Sequence, residues 1–148
     1  MVENKLLIRT AELKDVPAIM ELEQGSIAHP WESRAIEDLI NDPNKMCYVA
    51  EADGRVVCYA GVETVLDEGN VGNIVTHKEY RGRGFAKELF TRLLEDAKEK
   101  GIEKLFLEVE SDNVPALGLY EKLGFGRYGL RRGYYGQDRD AVLMLKNL

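Results

Sequence analysis

At 148 residues with 45% hydrophobic content, the chain fits one compact domain spanning residues 1–148, and a second domain is not expected. The formal net charge of −6 argues against direct nucleic-acid binding, which needs a basic face. No apolar run approaches the roughly 18 residues that span a bilayer, and the first residues lack the apolar core of a signal peptide. We therefore expect a cytoplasmic protein that makes no membrane contact.

The hydrophobic pattern predicts the element order β-α-α-β-β-β-α-β-α-β-β. Asp15 and Ser33 are predicted helix N-caps, Asp53-Gly54 is a predicted hairpin turn, and Gly101 closes the longest helix. In chain order the predicted elements are strand 6–9, helix 15–23, helix 33–41, strands 46–52 and 56–64, a strand from about 70, helix 85–100, strand 104–109, a helix from 113, and strands 127–135 and 141–146. This order predicts an α/β fold, a mixed central β-sheet flanked by helices on both faces.

The two cysteines lie in adjacent predicted strands. With a two-residue turn, Cys58 would face Val49, which leaves Cys47 diagonal to Cys58 at roughly 7 to 8 Å. A disulfide needs closer and better aligned residues, so we expect two buried free thiols instead. The cysteine spacing also matches no metal site, and no metal is expected.

A basic glycine-rich turn joins a short strand to the most strongly patterned helix of the chain. The turn, Tyr80-Arg81-Gly82-Arg83-Gly84-Phe85-Ala86, precedes apolar residues spaced by three and four. Gly82 and Gly84 let the backbone approach a ligand closely, and the first N–H groups of a helix attract anions. Residues 78–87 hold four basic side chains against one acidic side chain, so we predict a phosphate-binding site.

The residue order in this turn matches neither of two common phosphate motifs. A dinucleotide fingerprint needs G-x-G-x-x-G and a P-loop needs G-K-[ST], and neither is present. Arg81-x-x-Gly84-x-Ala86 instead resembles the acyl-CoA pyrophosphate loop of the GNAT N-acetyltransferases, R/Q-x-x-G-x-G/A. The resemblance implies that acetyl-CoA is bound, with its acetyl and pantetheine part along Ile74, Val75 and Thr76. The residues it assigns to the pyrophosphate loop are Arg81, Gly82, Arg83, Gly84, Phe85, Ala86 and Lys87.

Two residues further along the chain are candidates for proton transfer. Side chains alternate along 104–110, so Glu108 lies between apolar neighbours near a strand end, where partial desolvation would raise its pKa toward the range of a general base. The alternative is a solvent-facing strand glutamate. Tyr120 lies three positions after Leu117 in the next helix, and spacing alone favours a core tyrosine.

The context of these residues adds a second resemblance. The matching residues are Leu107-Glu108-Val109, Ser111-Asp112-Asn113, Ala116 and the run Leu119 to Phe125, together with Arg132-x-Tyr134-Tyr135 and His29-Pro30-Trp31. They resemble the RimI-type N-terminal acetyltransferases of the GNAT family, which acetylate the N-terminal alanine of a small-subunit ribosomal protein. The resemblance implies a GNAT fold, with Glu108 as proton acceptor, Tyr120 as proton donor and Asn113 as a CoA contact. The residues it places at the peptide groove are His29, Trp31, Tyr134 and Tyr135.

The reaction implied is direct acetyl transfer in a ternary complex by a monomer or weak oligomer. Neither Cys47 nor Cys58 lies in a nucleophile context, so no acetyl-enzyme is expected. Backbone N–H groups of Ile74 and Thr76 are predicted to stabilise the developing oxyanion. Two alternatives stay open: a GNAT enzyme that acetylates lysine or a small-molecule amine, and a non-catalytic acetyl-CoA-binding module.

Overall fold

A computed structural model describes residues 6–25 and 32–148 of the chain. Within these residues, two short 3-10 turns at Leu13–Asp15 and Lys78–Tyr80 precede helices. The strands are β1 Leu7–Thr10, β2 Lys45–Ala52, β3 Arg55–Val65, β4 Glu68–Thr76, β5 Lys104–Glu110, β6 Gly126–Gly136 and β7 Arg139–Asn147. The helices are α1 Val16–Gln24, α2 Ser33–Asn41, α3 Phe85–Glu99 and α4 Val114–Lys122.

The strands of the described residues form one mixed sheet in the order β1-β2-β3-β4-β5-β7-β6. Neighbouring strands are antiparallel except β4 and β5, which run parallel and are connected through helix α3. A parallel pair requires such a crossover, which explains why the longest helix lies between these two strands. The predicted α/β fold with a mixed sheet is confirmed.

Helices cover both faces of the sheet. Helices α3 and α4 pack on one side, the α3/α4 face, together with Met46, Tyr48 and Ala50 of β2. Helices α1 and α2 pack on the other side, the α1/α2 face, where Cys47 and Val49 of the same strand point. Because β2 is buried on both sides, its sequence is almost continuously apolar, as in other doubly covered strands.

Helix α3 packs against the sheet through a stripe of buried apolar residues. Its buried residues are Phe85, Leu89, Phe90, Leu93 and Ala97. The hydroxyl of Tyr48 donates to Asp96 near the end of the helix, and Gly101, with a φ of +88°, lets the chain leave it. None of the helices in the described part of the chain is long and apolar enough to cross a membrane.

Two local predictions are wrong. The N-cap of α2 is Glu32, in an extended conformation, and Ser33 is the first helical residue. In the β2–β3 hairpin, a bulge shifts the register between Ala50 and Glu51, so Cys58 lies opposite Ala50 rather than Val49. An extra residue on one strand moves every later pair by one position, which no turn rule predicts.

The prediction for the two thiols is confirmed despite the changed register. Cys47 and Cys58 are both buried and free. Cys47 belongs to the cluster under α1 and α2, whereas Cys58 belongs to the cluster under α3 and α4. Burial raises the pKa of both thiols, that of Cys58 to about 11, so neither is a ready thiolate nucleophile at neutral pH.

Candidate active site

A cleft opens in the middle of the sheet where the parallel strands β4 and β5 separate. Their pairing begins at Glu68 with Lys104 and ends at Asn70 with Phe106. Both strands continue beyond these residues, but each is then paired only with its outer neighbour, β3 or β7. Their inner edges therefore present backbone N–H and C=O groups to a ligand that enters between them.

A bulge in β4 accounts for the position of this cleft. Gly72 and Asn73 of β4 together stand opposite Gly61 of β3, because the register shifts at this point. An extra residue bends its strand and increases the local twist. The bend follows directly after Asn70, the last β4 residue that pairs with β5.

The backbone of β4 beyond the bulge faces the cleft at alternate residues. The N–H of His77 donates to the carbonyl of Val57 at 2.7 Å, and antiparallel pairs alternate between bonded and non-bonded. The N–H and C=O of Thr76 and Ile74 therefore point away from β3 and into the cleft. The Thr76 carbonyl accepts there from Nε of Arg81 at 3.1 Å.

The side chains of the same segment lie on opposite faces of the sheet. Ile74 packs against the core of the α3/α4 face, and Val75 is buried on the α1/α2 face. The hydroxyl of Thr76 lies 3.3 Å from Sγ of Cys58. The segment is thus fixed by side-chain packing on both faces, while its backbone remains available to a ligand.

The glycine turn between β4 and α3 has the backbone geometry of an anion site. Gly82 and Gly84 both have a φ of +79°, and a Cβ built on either glycine has no neighbour within 4 Å. The N–H of Glu88 donates to the carbonyl of Gly84 at 3.0 Å, which closes the first turn of α3. The amides of Phe85–Lys87 then point beyond the helix end, where they attract negative charge.

Tyr80 anchors this turn to the β2–β3 hairpin. Its hydroxyl donates to Asp53 at 3.2 Å, and the guanidinium of Arg83 lies 5.0 Å from the centre of its ring. The guanidinium of Arg55 lies 6.0 Å from the same ring. Sequence reasoning missed Arg55 as a neighbour of the turn, although the predicted hairpin and the antiparallel pairing of β3 and β4 could have indicated it.

Glu108 lies on β5, two residues beyond the last pair with β4. Its side chain is exposed on the α1/α2 face, so the expected partial desolvation is wrong in this structure. The physical reason is the extent of the covering helices. The cluster under α1 and α2 draws on β2, β3 and β4, which leaves this face of β5 open to solvent.

Tyr120 lies on the opposite side of the sheet. It is 9% exposed in helix α4, with its ring 6.5 Å from that of Phe90 and 5.9 Å from that of Phe125. Burial, with a further contribution from Tyr135, raises the pKa of Tyr120 to about 12. The side chain is therefore a core tyrosine, as spacing alone suggested, and it keeps its proton throughout the neutral range.

Tyr134 and Tyr135 lie in an irregular part of β6. The register between β6 and β7 jumps between Arg131 and Gly136, and the two tyrosine rings meet edge to face at 4.9 Å. Burial and then the charge of Glu108 raise the pKa of Tyr135 to about 12. Tyr135 also contributes to the raised pKa of Tyr120, so Tyr135 lies near enough to interact electrostatically with both Glu108 and Tyr120.

The other predicted site residues take different positions. Asn113 is the N-cap of α4, and its Oδ1 accepts from the N–H of Ala116 at 3.3 Å. The side chain of Phe85 is buried against Ala52 and Val57, so only its backbone faces the turn. Arg81, Arg83 and Lys87 are exposed, and Ala86 is half-buried. His29 and Trp31 lie outside the described residues.

The family follows from a match over most of the chain. The description of the acetyltransferase (GNAT) family fits residues 16–125. The chain belongs to the GNAT family. This confirms the resemblance that rested on the glycine turn and on the Glu108–Phe125 block. The matched residues include β4 and β5, the two strands that border the cleft.

The relatives of this GNAT protein match it over nearly its whole length. A Bacillus subtilis (strain 168) protein is 35% identical over 144 residues, which are 96% of this chain and 95% of the relative. The [ribosomal protein bS18]-alanine N-acetyltransferase of Escherichia coli (strain K12) is 30% identical over 141 residues, covering 93% and 94% of the two chains. The crystal structure of the ribosomal-protein-S18-alanine N-acetyltransferase from Escherichia coli superimposes with a TM-score of 0.88 at 28% identity, over 97% of this chain and 94% of that one.

Proposed function

We propose that this chain transfers the acetyl group of acetyl-CoA to the N-terminal α-amine of a protein that begins with alanine. The small-subunit ribosomal protein bS18 is the substrate we propose, because it is the substrate named for the Escherichia coli relative. The observation that carries the proposal is the cleft between β4 and β5. Glu108 lies on one face of the sheet beyond the last pair of β4 and β5, and Tyr120 lies in the core of the other face, which supports our proposal that they act as proton acceptor and proton donor.

The phosphate part of acetyl-CoA fits the glycine turn. Positive φ angles at Gly82 and Gly84 turn successive N–H groups outward, and the absence of side chains there leaves room for a phosphate oxygen. The exposed Arg81, Arg83 and Lys87 add positive charge around it. These contacts supply binding, whereas acetyl-CoA itself supplies an acetyl group activated as a thioester.

The acetyl group would lie against the cleft edge of β4. Ile74 and Thr76 each direct a backbone N–H group into the cleft, because neither is used in pairing with β3. Fixed N–H donors of this kind stabilise a carbonyl oxygen as it gains negative charge. A carbonyl held by these groups next to the open end of β5 would be accessible to an amine from the α1/α2 face.

Glu108 would receive the proton of the incoming amine. An α-amino group has a pKa near 8, so a weak base acting directly or through one water is sufficient, whereas a lysine with a pKa near 10.4 needs more help. The exposed position of Glu108 suits a proton acceptor that passes its proton on to solvent. It also leaves room for the free end of a protein chain on this face.

Tyr120 would donate to the departing CoA sulfur from the α3/α4 face. Its pKa of about 12 keeps the hydroxyl protonated before reaction. A thiol has a pKa near 8.5, below that of Tyr120, so the tyrosine would stabilise the departing thiolate mainly through a hydrogen bond, and any proton passed to the sulfur as CoA leaves would be restored to the hydroxyl from solvent. Glu108 would thus act on the amine that forms the new C–N bond, and Tyr120 on the sulfur of the C–S bond that breaks. No covalent acetyl-enzyme is needed.

The test is to measure thiol release from acetyl-CoA with a short alanine-starting peptide copied from a bS18 N-terminus and containing an internal lysine. Mass spectrometry of fragment ions should place one acetyl group on the α-amine. The matched control is the same peptide with its α-amine already blocked, which should give no thiol. Acetylation of the lysine in the blocked peptide, or acetyl-CoA binding without turnover on either peptide, would contradict the proposal.

A further inference from the structure

A fully buried carboxylate lies next to the cleft and has no part in the chemistry described above. Glu23, near the end of α1, is 0% exposed. Its Oε2 accepts a hydrogen bond from the hydroxyl of Tyr59 on β3 and another from Nδ2 of Asn73 on β4, at 3.3 Å for the latter. A glutamate is almost never completely buried in a protein unless its partners compensate the lost hydration.

The second partner of this carboxylate lies in the bulge that opens the cleft. Asn73 and Gly72 are the two β4 residues that stand opposite Gly61. Gly72, which precedes Asn73 in the chain, and Gly61, which lies opposite it, have no side chains. A cavity of about 120 Å³ lies against Tyr59, Gly61, Gly72 and Asn73. The bulge is therefore left without side-chain packing on the cavity side, and the hydrogen bond from Asn73 to Glu23 is a polar contact that holds it to the α1/α2 face.

We propose that Glu23, Tyr59 and Asn73, the bulge triad, are positioning residues for acetyl transfer. The inference rests on the proposed function. By holding the bulge in one conformation, the triad fixes the direction of the N–H groups of Ile74 and Thr76, which follow it on β4. Because Glu23 lies near the end of α1 and Asn73 lies on β4, the triad links this helix to the strand that borders the cleft.

The alternative is a purely stabilising role, and the chain contains a matched comparison for it. Tyr48 and Tyr59 are both nearly fully buried, at 3% and 1% exposure, and each donates its hydroxyl to a carboxylate on a helix. The partner of Tyr48 is Asp96 near the end of α3, on the opposite face of the sheet from Glu23. Removing the Tyr59 hydroxyl costs a buried hydrogen bond and removing the Tyr48 hydroxyl costs a partly buried one, but only Tyr59 belongs to the bulge triad.

The experiment compares Tyr59→Phe and Asn73→Ala with Tyr48→Phe, at a temperature where all three are folded by circular dichroism. We expect Tyr59→Phe and Asn73→Ala to lower kcat about tenfold, because displacing the groups that meet the developing charge is costly even over small distances. The Kd for acetyl-CoA should change less than about threefold, since the phosphate turn is anchored separately through Tyr80 and Arg81. Tyr48→Phe should lower the melting temperature by a similar amount and leave kcat unchanged.

A spectroscopic measurement separates positioning from general loosening. In amide NMR spectra, Asn73→Ala should shift the resonances of Ile74 and Thr76, whereas Tyr48→Phe should leave them in place. The inference is wrong if kcat falls equally in the control, or if the β4 resonances and kcat both stay unchanged in Asn73→Ala. A wild-type protein that fails to acetylate the alanine peptide would contradict the proposed function instead, and the NMR comparison would still test the triad.

Discussion

The two walls of the cleft are built in different ways. The β4 wall, residues 74–87, is one continuous segment that offers mainly backbone N–H groups and glycine conformations. The β5 wall gathers three side chains, Glu108, Tyr120 and Tyr135, from a strand, a helix and an irregular edge strand. The β4 wall is therefore suited to binding a ligand that is the same in every turnover. The β5 wall is suited to proton transfer by individual side chains.

This difference separates the expected effects of mutation. Changes in the β5 wall should act on kcat, because the proposed roles of Glu108 and Tyr120 are to accept and donate protons as the bonds form and break. Changes in the β4 wall should act mainly on the affinity for acetyl-CoA, because backbone contacts to the phosphates are made before and during reaction. Four substitutions test this separation.

The largest loss is expected for Tyr120→Phe. The hydroxyl is buried, so water cannot easily take its place, and kcat should fall about 1,000-fold, within the usual range for a general acid. The Kd for acetyl-CoA, measured by calorimetry, should be unchanged. Tyr48→Phe is the matched control on the same face, and a large loss of acetyl-CoA affinity in Tyr120→Phe would contradict the assignment.

The pH dependence of the wild-type rate also tests Tyr120 as the proton donor. A pKa of about 12 for Tyr120 means that its proton is lost only as the pH rises through that value. The rate should therefore climb as the substrate amine loses its proton near pH 8 and then stay level up to about pH 10. A falling limb that begins below pH 9 and disappears in Tyr120→Phe would show a donor with a much lower pKa.

A smaller loss is expected for Glu108→Gln, because this side chain is exposed and solvent can partly replace it. At pH 7 the loss of kcat/KM should be about 100-fold, and it should shrink as the pH rises past the pKa of the amine near 8, where no base is needed. The measurement is the ratio of wild-type to variant rates from pH 6.5 to 9.5.

The control for Glu108→Gln is Glu110→Gln, on the same face of the same strand. Glu110 accepts from Nε of Arg139, which occupies its carboxylate. Its substitution should change kcat/KM less than about threefold, the scale of an exposed ion pair. A ratio for Glu108→Gln that stays constant over the whole pH range would exclude Glu108 as the proton acceptor.

Some parts of this site could be predicted from the sequence alone, and others could not. The glycine turn lies within one segment, so its motif and its strand–turn–helix context predicted its geometry without tertiary information. The roles of Glu108 and Tyr120 were assigned through resemblance to a family. Periodicity alone left two environments open for Glu108, a partly desolvated base and a solvent-facing glutamate, and favoured a core position for Tyr120. In the structure Glu108 is exposed and Tyr120 is buried.

The residues that sequence reasoning missed are those whose environment depends on register. The bulges at Ala50–Glu51 and at Gly72–Asn73 each move one strand by one residue relative to its partner. Hydrophobic alternation has a period of two and gives no sign of a single extra residue within a strand. Asn73 and Glu23 therefore read as ordinary polar residues of a strand and a helix, although their side chains form a hydrogen bond in the structure.

On the β4 wall, Gly84→Ala should have an intermediate effect. Nothing near Gly84 would clash with a Cβ, but its φ of +79° disfavours any L side chain, and the new methyl would point where a phosphate is expected. We expect the Kd for acetyl-CoA to rise about tenfold with kcat reduced less than about threefold. The matched control is Gly118→Ala, in helix α4 with equally open surroundings, where alanine is favoured and stability should not fall. An unchanged Kd in Gly84→Ala would remove the turn from the binding site.

The smallest effect is expected for Tyr135→Phe. This residue is 36% exposed at the irregular edge strand, and its charge environment includes Glu108, so it stands between the peptide side of the cleft and the buried Tyr120. If its ring contacts the peptide and its hydroxyl only orders solvent around Glu108, the KM for the peptide should rise about threefold with kcat nearly unchanged. Steady-state rates over a peptide series at saturating acetyl-CoA measure the two constants separately. A fall in kcat as large as that of Glu108→Gln would instead make Tyr135 part of the proton path, and the β5 wall would then carry its proton through three side chains.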